Sequence, residues 1–408
     1  MTATAMTATA TTATATTGTT VHDVTLVPGG GRDPIAGATV DLDADGTVVA
    51  IRDGDPARSD GRFLVPAAVD LHLDNLAERR RPRATVRLDQ AAVIAVLDAE
   101  CAAAGIGTVC IAARCEDAPG KGVVVEDAVE LARVLEDLAP HLACDWRIHA
   151  RVEVTDDRAL GALASILEIS SRVAIISVME HSAERSRFAS REEHRAFYAA
   201  DWGVSLDEVD RILEAKAAGG TDRESRRAEV ARLSRAAGIV LASHDDRSPS
   251  DVDAAHALGA TVAEFPLTID AALHARRRGM ATVLGAPNAI RGRSTSPGNV
   301  LVADAVAAGA CDVLCCDYLP FALQAAPHAL ARAGVVGLGD AVDLVSTAPA
   351  AALGLPSPAI EVGRPLTAAL GTVSGTTFIG TGLWRAGRRT FRRDSGAPTA
   401  RERTPMTT

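Results

Sequence analysis

From residue 64 to residue 325, short apolar runs alternate with longer segments of helical periodicity. The runs are "LVPAAVDLHLDN", "GIGTVCIAA", "DWRIHARVEV", "RVAIISVMEH", "GIVLASHDD", "TVAEFPLT", "ATVLGAPN" and "CDVLCCDYLP". Each is rich in Val, Ile, Leu and Ala and ends in polar residues. Unbroken apolar character is expected of strands buried on both faces, as in a parallel sheet. Helix signals lie between the runs. "SPSDVDAAHALG" opens on the capping residue Ser248 and closes on Gly259, and "TIDAALHARRRG" does the same with Thr268 and Gly279. Eight strand–helix units predict a (β/α)8, TIM-like barrel. An open doubly wound sheet is the alternative, but it does not explain polar residues at so many strand ends. A helical insertion over roughly residues 183–236 interrupts the fourth unit.

Toward both ends of the chain the period shortens to two. "VHDVTLVP", "GATVDLDADGTVVAIRDG" and "GRFLVP" on one side, and "GTVSGTTFIGTGLWRAGRRTF" on the other, alternate between Gly and Asp turns. The expectation is a small β-sandwich built jointly from residues 21–65 and 356–395, beside a barrel of residues 66–355. Residues 1–20, almost all Thr and Ala, and residues 396–408 read as disordered tails. The first of these lacks the basic start and Leu-rich stretch of a secretory signal and the Arg of a transit peptide, so a cytoplasmic protein is expected.

Composition narrows the core and the partners. Of 408 residues 47% are hydrophobic but only 3% aromatic, so the core must be aliphatic. A net charge of −10 without a basic domain argues against nucleic acid. No apolar run approaches the roughly 18 residues of a membrane span. Seven cysteines without a C-x-x-C pair read as reduced core residues. A homo-oligomer is left open.

Barrel enzymes carry their chemistry at the C-terminal ends of the strands. The polar residues there are His72, Asp74, Glu153, Glu180, His181, His244, Asp245, Asp246, Glu264 and Asp317. Alternation along a strand sends His72 and Asp74 to the same face, into the barrel. A single strand-end histidine is ordinarily just hydrogen-bonded. Three converging with Asp74, Glu153 and Asp317 suit divalent metal ions, zinc first with manganese or iron as alternatives, and the donors suffice for two. Water activated there is the natural nucleophile, with Asp317 placed to orient it and take its proton. The segment "GAPNAIRGRSTSPGNV", residues 285–300, reads as a Gly/Ser/Asn-rich loop carrying Arg291 and Arg293 after strand seven, where such barrels cradle phosphate. The run "ERRRPR", residues 78–83, is either a solvated loop or a second anion contact. Lys121 lies in a Gly-rich stretch without the P-loop spacing. No G-x-S-x-G or G-x-G-x-x-G motif is present. Met179 and Phe265 read as packing residues.

Taken in order, "DLHLDN", "ISVMEHS", "LASHDD", "AEFPLT", "GAPNAIRG", "GNV" and "DYLP" resemble the amidohydrolase superfamily, in the diphosphatase branch of the carbon–phosphorus lyase pathway. Most of the superfamily carries His-x-His on strand one. His72-x-Asp74-Asn75 and Ser243-His244-Asp245-Asp246 mark this branch. The resemblance implies a binuclear metallohydrolase that cleaves alpha-D-ribose 1-methylphosphonate 5-triphosphate, a small phosphorylated sugar, to the 5-phosphate and pyrophosphate. It implies His72, Asp74, Glu153, His181, His244 and Asp317 as the metal set, with His244 and Asp317 also catalytic. Glu153 takes the place of the carboxylated lysine of many relatives. Asn75, Arg83, Asp245, Asp246, Arg291, Ser294, Asn299 and Tyr318 are implied as substrate contacts. Departures fall on the substrate side. A Ser-His-Ser-Gly-Asn stretch is here Ser294-Thr295-Ser296-Pro297-Gly298-Asn299, a Pro-Gly-Gln-type stretch is Ala183-Glu184-Arg185, and Glu180 stands for Asp. The same centre would also serve a cyclic amide or another phosphoester. A non-catalytic scaffold would have lost metal ligands, and none of the implied set is missing.

Overall fold

The computed structural model describes residues 18–83, 85–118, 122–182, 188, 190–218, 222–294 and 298–394. Lys121, Ala183, Glu184, Arg185, Thr295, Ser296, Pro297 and nearly all of both expected tails lie outside the described residues.

Among the described residues fifteen strands form two sheets. The first group is β1 (Thr20–Leu26), β2 (Ile35–Leu42), β3 (Val48–Arg52) and β4 (Arg62–Pro66). The barrel strands are β5 (Ala68–Leu73), β6 (Ile106–Cys115), β7 (Asp145–Glu153), β8 (Val173–Met179), β9 (Val240–His244), β10 (Val262–Glu264), β11 (Ala281–Gly285) and β12 (Val313–Cys315). The last three are β13 (Ala368–Ser374), β14 (Thr377–Arg385) and β15 (Arg388–Arg392).

β5 to β12 pair in parallel, each with the next in chain order. A parallel bridge between Leu73 and Asp317 joins the last strand to the first, and the Asp74 amide donates to the Asp317 carbonyl at 2.6 Å. The result is the expected TIM-like barrel. Alternation sorts its side chains. Val69, Leu71, Cys110, Ile175, Ala242, Val262, Val283, Val313 and Cys315 pack together inside it. The other face of the strands packs on the helices in the main core, as Ile148, Val152, Ile176 and Leu284 do. With the interior filled by aliphatic side chains, polar groups are confined to the mouth.

The helix signals hold where they were strongest. Pro249–Ala257 starts from Ser248 with a complete capping box, and Ile269–Arg277 is capped by the Thr268 side chain. The stretch expected to be a loop after strand seven is partly helical: Ala286–Arg291 forms a short helix with Pro287 in its first turn and Gly292, at φ 65°, ending it. Arg291 therefore rides on a helix end. Among its described residues the insertion contributes three helices, Arg191–Trp202, Leu206–Ala218 and Arg223–Ala237. Phe188, Tyr198 and Val209 make a small apolar cluster of their own there.

The terminal segments do meet, as one sheet in the order β15-β14-β13-β4-β1-β2-β3. β4 pairs with β1 in parallel and with β13 antiparallel, which makes the sheet continuous from one terminal segment to the other. It curls on itself until the β2–β3 turn touches the β14–β15 turn. Leu366 links them, donating to the Gly46 carbonyl and accepting from the Gly387 amide. Val24, Leu26, Val40, Leu64, Leu370 and Trp384 fill the curl.

Candidate metal centre

The floor of the mouth is organised by Glu264, at the end of β10 and fully buried. Its carboxylate accepts from His72 Nδ1 at 2.7 Å, Ser177 Oγ at 2.9 Å and His244 Nδ1 at 3.1 Å. Burial acts to raise its pKa, but the surrounding imidazoles and their hydrogen bonds outweigh it and hold the carboxyl well below the usual range. A carboxylate that binds Nδ1–H fixes the tautomer and leaves each Nε2 as the basic nitrogen. The two rings held this way lie 6.1 Å apart and close to parallel.

β7 contributes His149, Arg151 and Glu153 to the inward face by simple alternation. His149 lies deepest. Its Nδ1 donates to the Leu71 carbonyl at 2.9 Å, and burial drives its pKa down to about 3, so it is neutral. Glu153 accepts from Thr155 Oγ1 at 2.6 Å and from His181 Nδ1 at 2.8 Å, anchoring His181 much as Glu264 anchors the other two histidines. Arg151 pairs with Asp74, and its guanidinium reaches to 3.4 Å from His244 Nε2.

Ligand atoms of His181, His244 and Asp245 lie within 4.8 Å of one another, and so do those of Glu116, Glu153 and His181. Imidazole nitrogens with carboxylate oxygens, the rings aimed by hydrogen-bonded carboxylates, fit a borderline divalent ion such as zinc. Asp245, Phe265 and Asp317 leave their strands at φ 57°, 52° and 55°. For non-glycine residues this conformation is strained, and strain held by a rigid frame is frequent at functional sites.

No family model matches the chain. The alpha-D-ribose 1-methylphosphonate 5-triphosphate diphosphatase of Escherichia coli (strain K12) is 31% identical over 338 residues, covering 81% of this chain and 89% of the relative. The chain belongs to that family. Solved structures agree in fold. A prolidase crystallised with n-methylphosphonate-L-proline superposes with TM-score 0.57 at 12% identity, over 92% of this chain and all of that one. The N-acetyl-D-glucosamine-6-phosphate deacetylase of Mycobacterium smegmatis gives 0.55 at 17% identity, over 91% and 99%.

Against this frame the expected site residues divide. His72, Asp74, His181, His244, Asp245, Asp317, Arg291, Ser294, Asn299 and Tyr318 all line the one mouth, and Glu153 stands directly behind His181. Asn75 joins the first strand end to the last, donating from Nδ2 to the Tyr318 carbonyl at 3.0 Å. Arg83 is exposed and is not among the residues lining the mouth. Its neighbours in the arginine run serve the fold, Arg79 on Glu100 and Arg80 on Asp127 and Glu130. Asp246 is buried, accepts from Ser243 Oγ, and faces a separate cavity between β8–β9 and the outer helices. Glu180 takes Arg223 and Arg227 of the insertion. Sequence reasoning passed over Arg114, Glu116, His149 and Arg151, and gave Glu264 no role. The available signal was alternation for His149 and Arg151, which lie four and two residues before the strand-end Glu153; Arg114, Glu116 and Glu264 had no candidate ligand on their own strands to phase them.

Proposed function

We propose that this protein is a divalent-metal-dependent diphosphatase that cleaves alpha-D-ribose 1-methylphosphonate 5-triphosphate to the 5-phosphate and pyrophosphate in phosphonate catabolism. The observation that carries the reading is one mouth in which an imidazole–carboxylate cluster stands beside the guanidinium groups of Arg114, Arg151, Arg291 and Arg293. A triphosphate ester needs that concentration of cations. A neutral cyclic amide does not. The named relative, similar along most of the chain, supports the same substrate.

His72 and His244 through Nε2, with His181, Asp245, Glu153 and Glu116, are the residues that would hold metal; of the set expected from sequence, Asp74 pairs instead with Arg151 and Asp317 lies outside these clusters. Two ions are proposed, with zinc first. A divalent ion there supplies Lewis acidity toward a phosphoryl oxygen and lowers the pKa of water. The remaining work falls to the chain. Asp317, on the rim nearest Asp74 and Tyr318, takes the proton of the attacking water. Arg291, whose NH1 lies 3.4 Å from the Tyr318 hydroxyl, grips a terminal phosphate. Guanidinium groups offset the charge that grows on the departing pyrophosphate. The cytoplasm is the proposed setting, supported by seven cysteines that are all buried and unpaired.

The test is metal analysis coupled to a pyrophosphate-release screen over ribose 5-triphosphates and nucleoside triphosphates. Metal-dependent release from the phosphonate-bearing sugar triphosphate is expected, with Asp317→Asn keeping its metal and losing roughly a hundredfold or more in turnover. Metal-loaded protein that releases no pyrophosphate from any triphosphate, yet opens a cyclic amide, would overturn the reading.

A further inference from the structure

Two neighbouring barrel strands end in the same four-residue pattern, Ala-Arg-x-Glu. It is Ala113-Arg114-Cys115-Glu116 at the end of β6 and Ala150-Arg151-Val152-Glu153 at the end of β7. The strands pair in parallel with Arg114 directly opposite Arg151. Alternation then sends both guanidinium groups, and both carboxylates two residues further on, to the inward face. Each copy thus delivers a carboxylate into the cluster with His181 and a cation beside it.

Both arginines line the mouth, with only 13% and 7% of their side chains exposed. Neither is loose. Glu116 Oε1 accepts from Arg114 Nε at 3.0 Å and NH2 at 2.6 Å, and Asp74 accepts from Arg151. These contacts leave Arg114 NH1 without a partner among the described residues. As a guanidinium, Arg114 keeps its charge across the ordinary pH range. Adjacent strands lie about 4.8 Å apart, so the two arginines rise side by side toward the mouth. Two linked phosphoryl groups offer each guanidinium its own set of oxygens, whereas a single phosphate would be shared between them. Arg291 and Arg293, by contrast, stand on an exposed helix end and the turn after it.

We propose that Arg114 and Arg151 form a diphosphate subsite, a rigid pair that holds two linked phosphoryl groups and selects polyphosphate esters over monophosphates. The proposal rests on the reading that this mouth takes a phosphorylated substrate.

Calorimetric titration of the metal-loaded protein with pyrophosphate and with inorganic phosphate tests it, metal content being measured for every variant. Arg114→Gln is expected to weaken pyrophosphate binding about tenfold or more, as loss of a charged hydrogen bond does, while phosphate binding changes by less than about threefold. Arg151→Gln should do the same, and Arg151→Lys should recover part of the loss. Arg291→Gln should weaken both anions alike. Unchanged pyrophosphate affinity in Arg114→Gln, or equal loss for both anions, overturns the subsite even if the enzyme turns over a triphosphate. Selective loss of pyrophosphate in a protein that cleaves no triphosphate would instead sink the functional reading and leave the subsite standing.

Discussion

Three donors converge on the Glu264 carboxylate, two of them the Nδ1 atoms of His72 and His244. Glutamine at this position would keep the volume but could accept with only one oxygen, and its amide would face an N–H. One histidine would lose its tautomer preference and its aim. Loss of such a supporting carboxylate costs about 10- to 100-fold in metal affinity. Glu264→Gln is therefore expected to give up its metal to a chelator at correspondingly lower concentration, with circular dichroism unchanged. Equal retention of metal would show that Glu264 does not position the ligands. The convergence of His72, His181 and His244 on one mouth was legible because strand ends of a barrel are where chemistry gathers. The role of Glu264 was not, because β10 is only three residues long and its alternation cannot be phased from sequence. The pairing of Asp74 with Arg151 was hidden for a different reason. It joins the first and third strands of the barrel, and only the closed barrel brings those two mouth residues together.

Among the elements, the insertion shows how one strand-end residue can serve architecture. Glu180 follows β8 and binds Ser182, Arg223 and Arg227, while Arg226 donates to the Val154 carbonyl at 2.9 Å. These bonds fix the start of the helix Arg223–Ala237 to the barrel. Burial acts to raise the Glu180 pKa, but the Ser182 hydrogen bond and the two arginines outweigh it, and the net shift is downward. A depressed folded-state pKa means that the stabilisation is present above the ordinary glutamate range and is lost as pH falls through the lowered value. Glu180→Gln should weaken the attachment by about 2 kcal/mol at neutral pH, the scale of hydrogen bonds to a charged group. Amide exchange would rise at the start of this helix before it rises in β8. The difference between variant and parent should shrink as pH is lowered through the carboxyl range. The sequence revealed the helical character of the insertion and the caps at Ser248 and Thr268. It did not reveal that "MEH" contributes His181 to the mouth and Glu180 to the wall, because the chain leaves β8 there and alternation no longer applies. The in-register Ala-Arg-x-Glu pair has the same status: two short matches in the sequence acquire meaning only once the register of β6 and β7 is known.

At the scale of the molecule, the curled sheet and the barrel share one chain path. β4 ends at Pro66 and β5 begins at Ala68, while the intervening Ala67 amide donates to the Thr367 carbonyl ahead of β13. Phe378, Ala369 and Leu383 of the sheet belong to the same core cluster as the helix Gln90–Ala103 and β6. The two parts should therefore unfold together. Glycines at the contacts make this testable. A Cβ on Gly380 would lie 2.4 Å from the Ala103 carbonyl oxygen, at the seam between sheet and barrel. A Cβ on Gly46, at φ +76°, would lie 1.9 Å from the Gly387 carbonyl oxygen, where the curl closes. Gly375 has φ +59° with nothing within 4 Å, so alanine there adds backbone strain alone. Gly375→Ala is expected to cost about 1 kcal/mol. Gly380→Ala should cost about 1–3 kcal/mol, as overpacking does, and Gly46→Ala more than either, since clash and strain combine. Scanning calorimetry of metal-loaded protein should show a single transition in all four proteins, moving down in that order. A Gly46→Ala profile split into an early sheet transition and an unshifted barrel transition would show that the barrel stands without the curl. The continuous pairing of β4 with β13 would then contribute little to the site it adjoins.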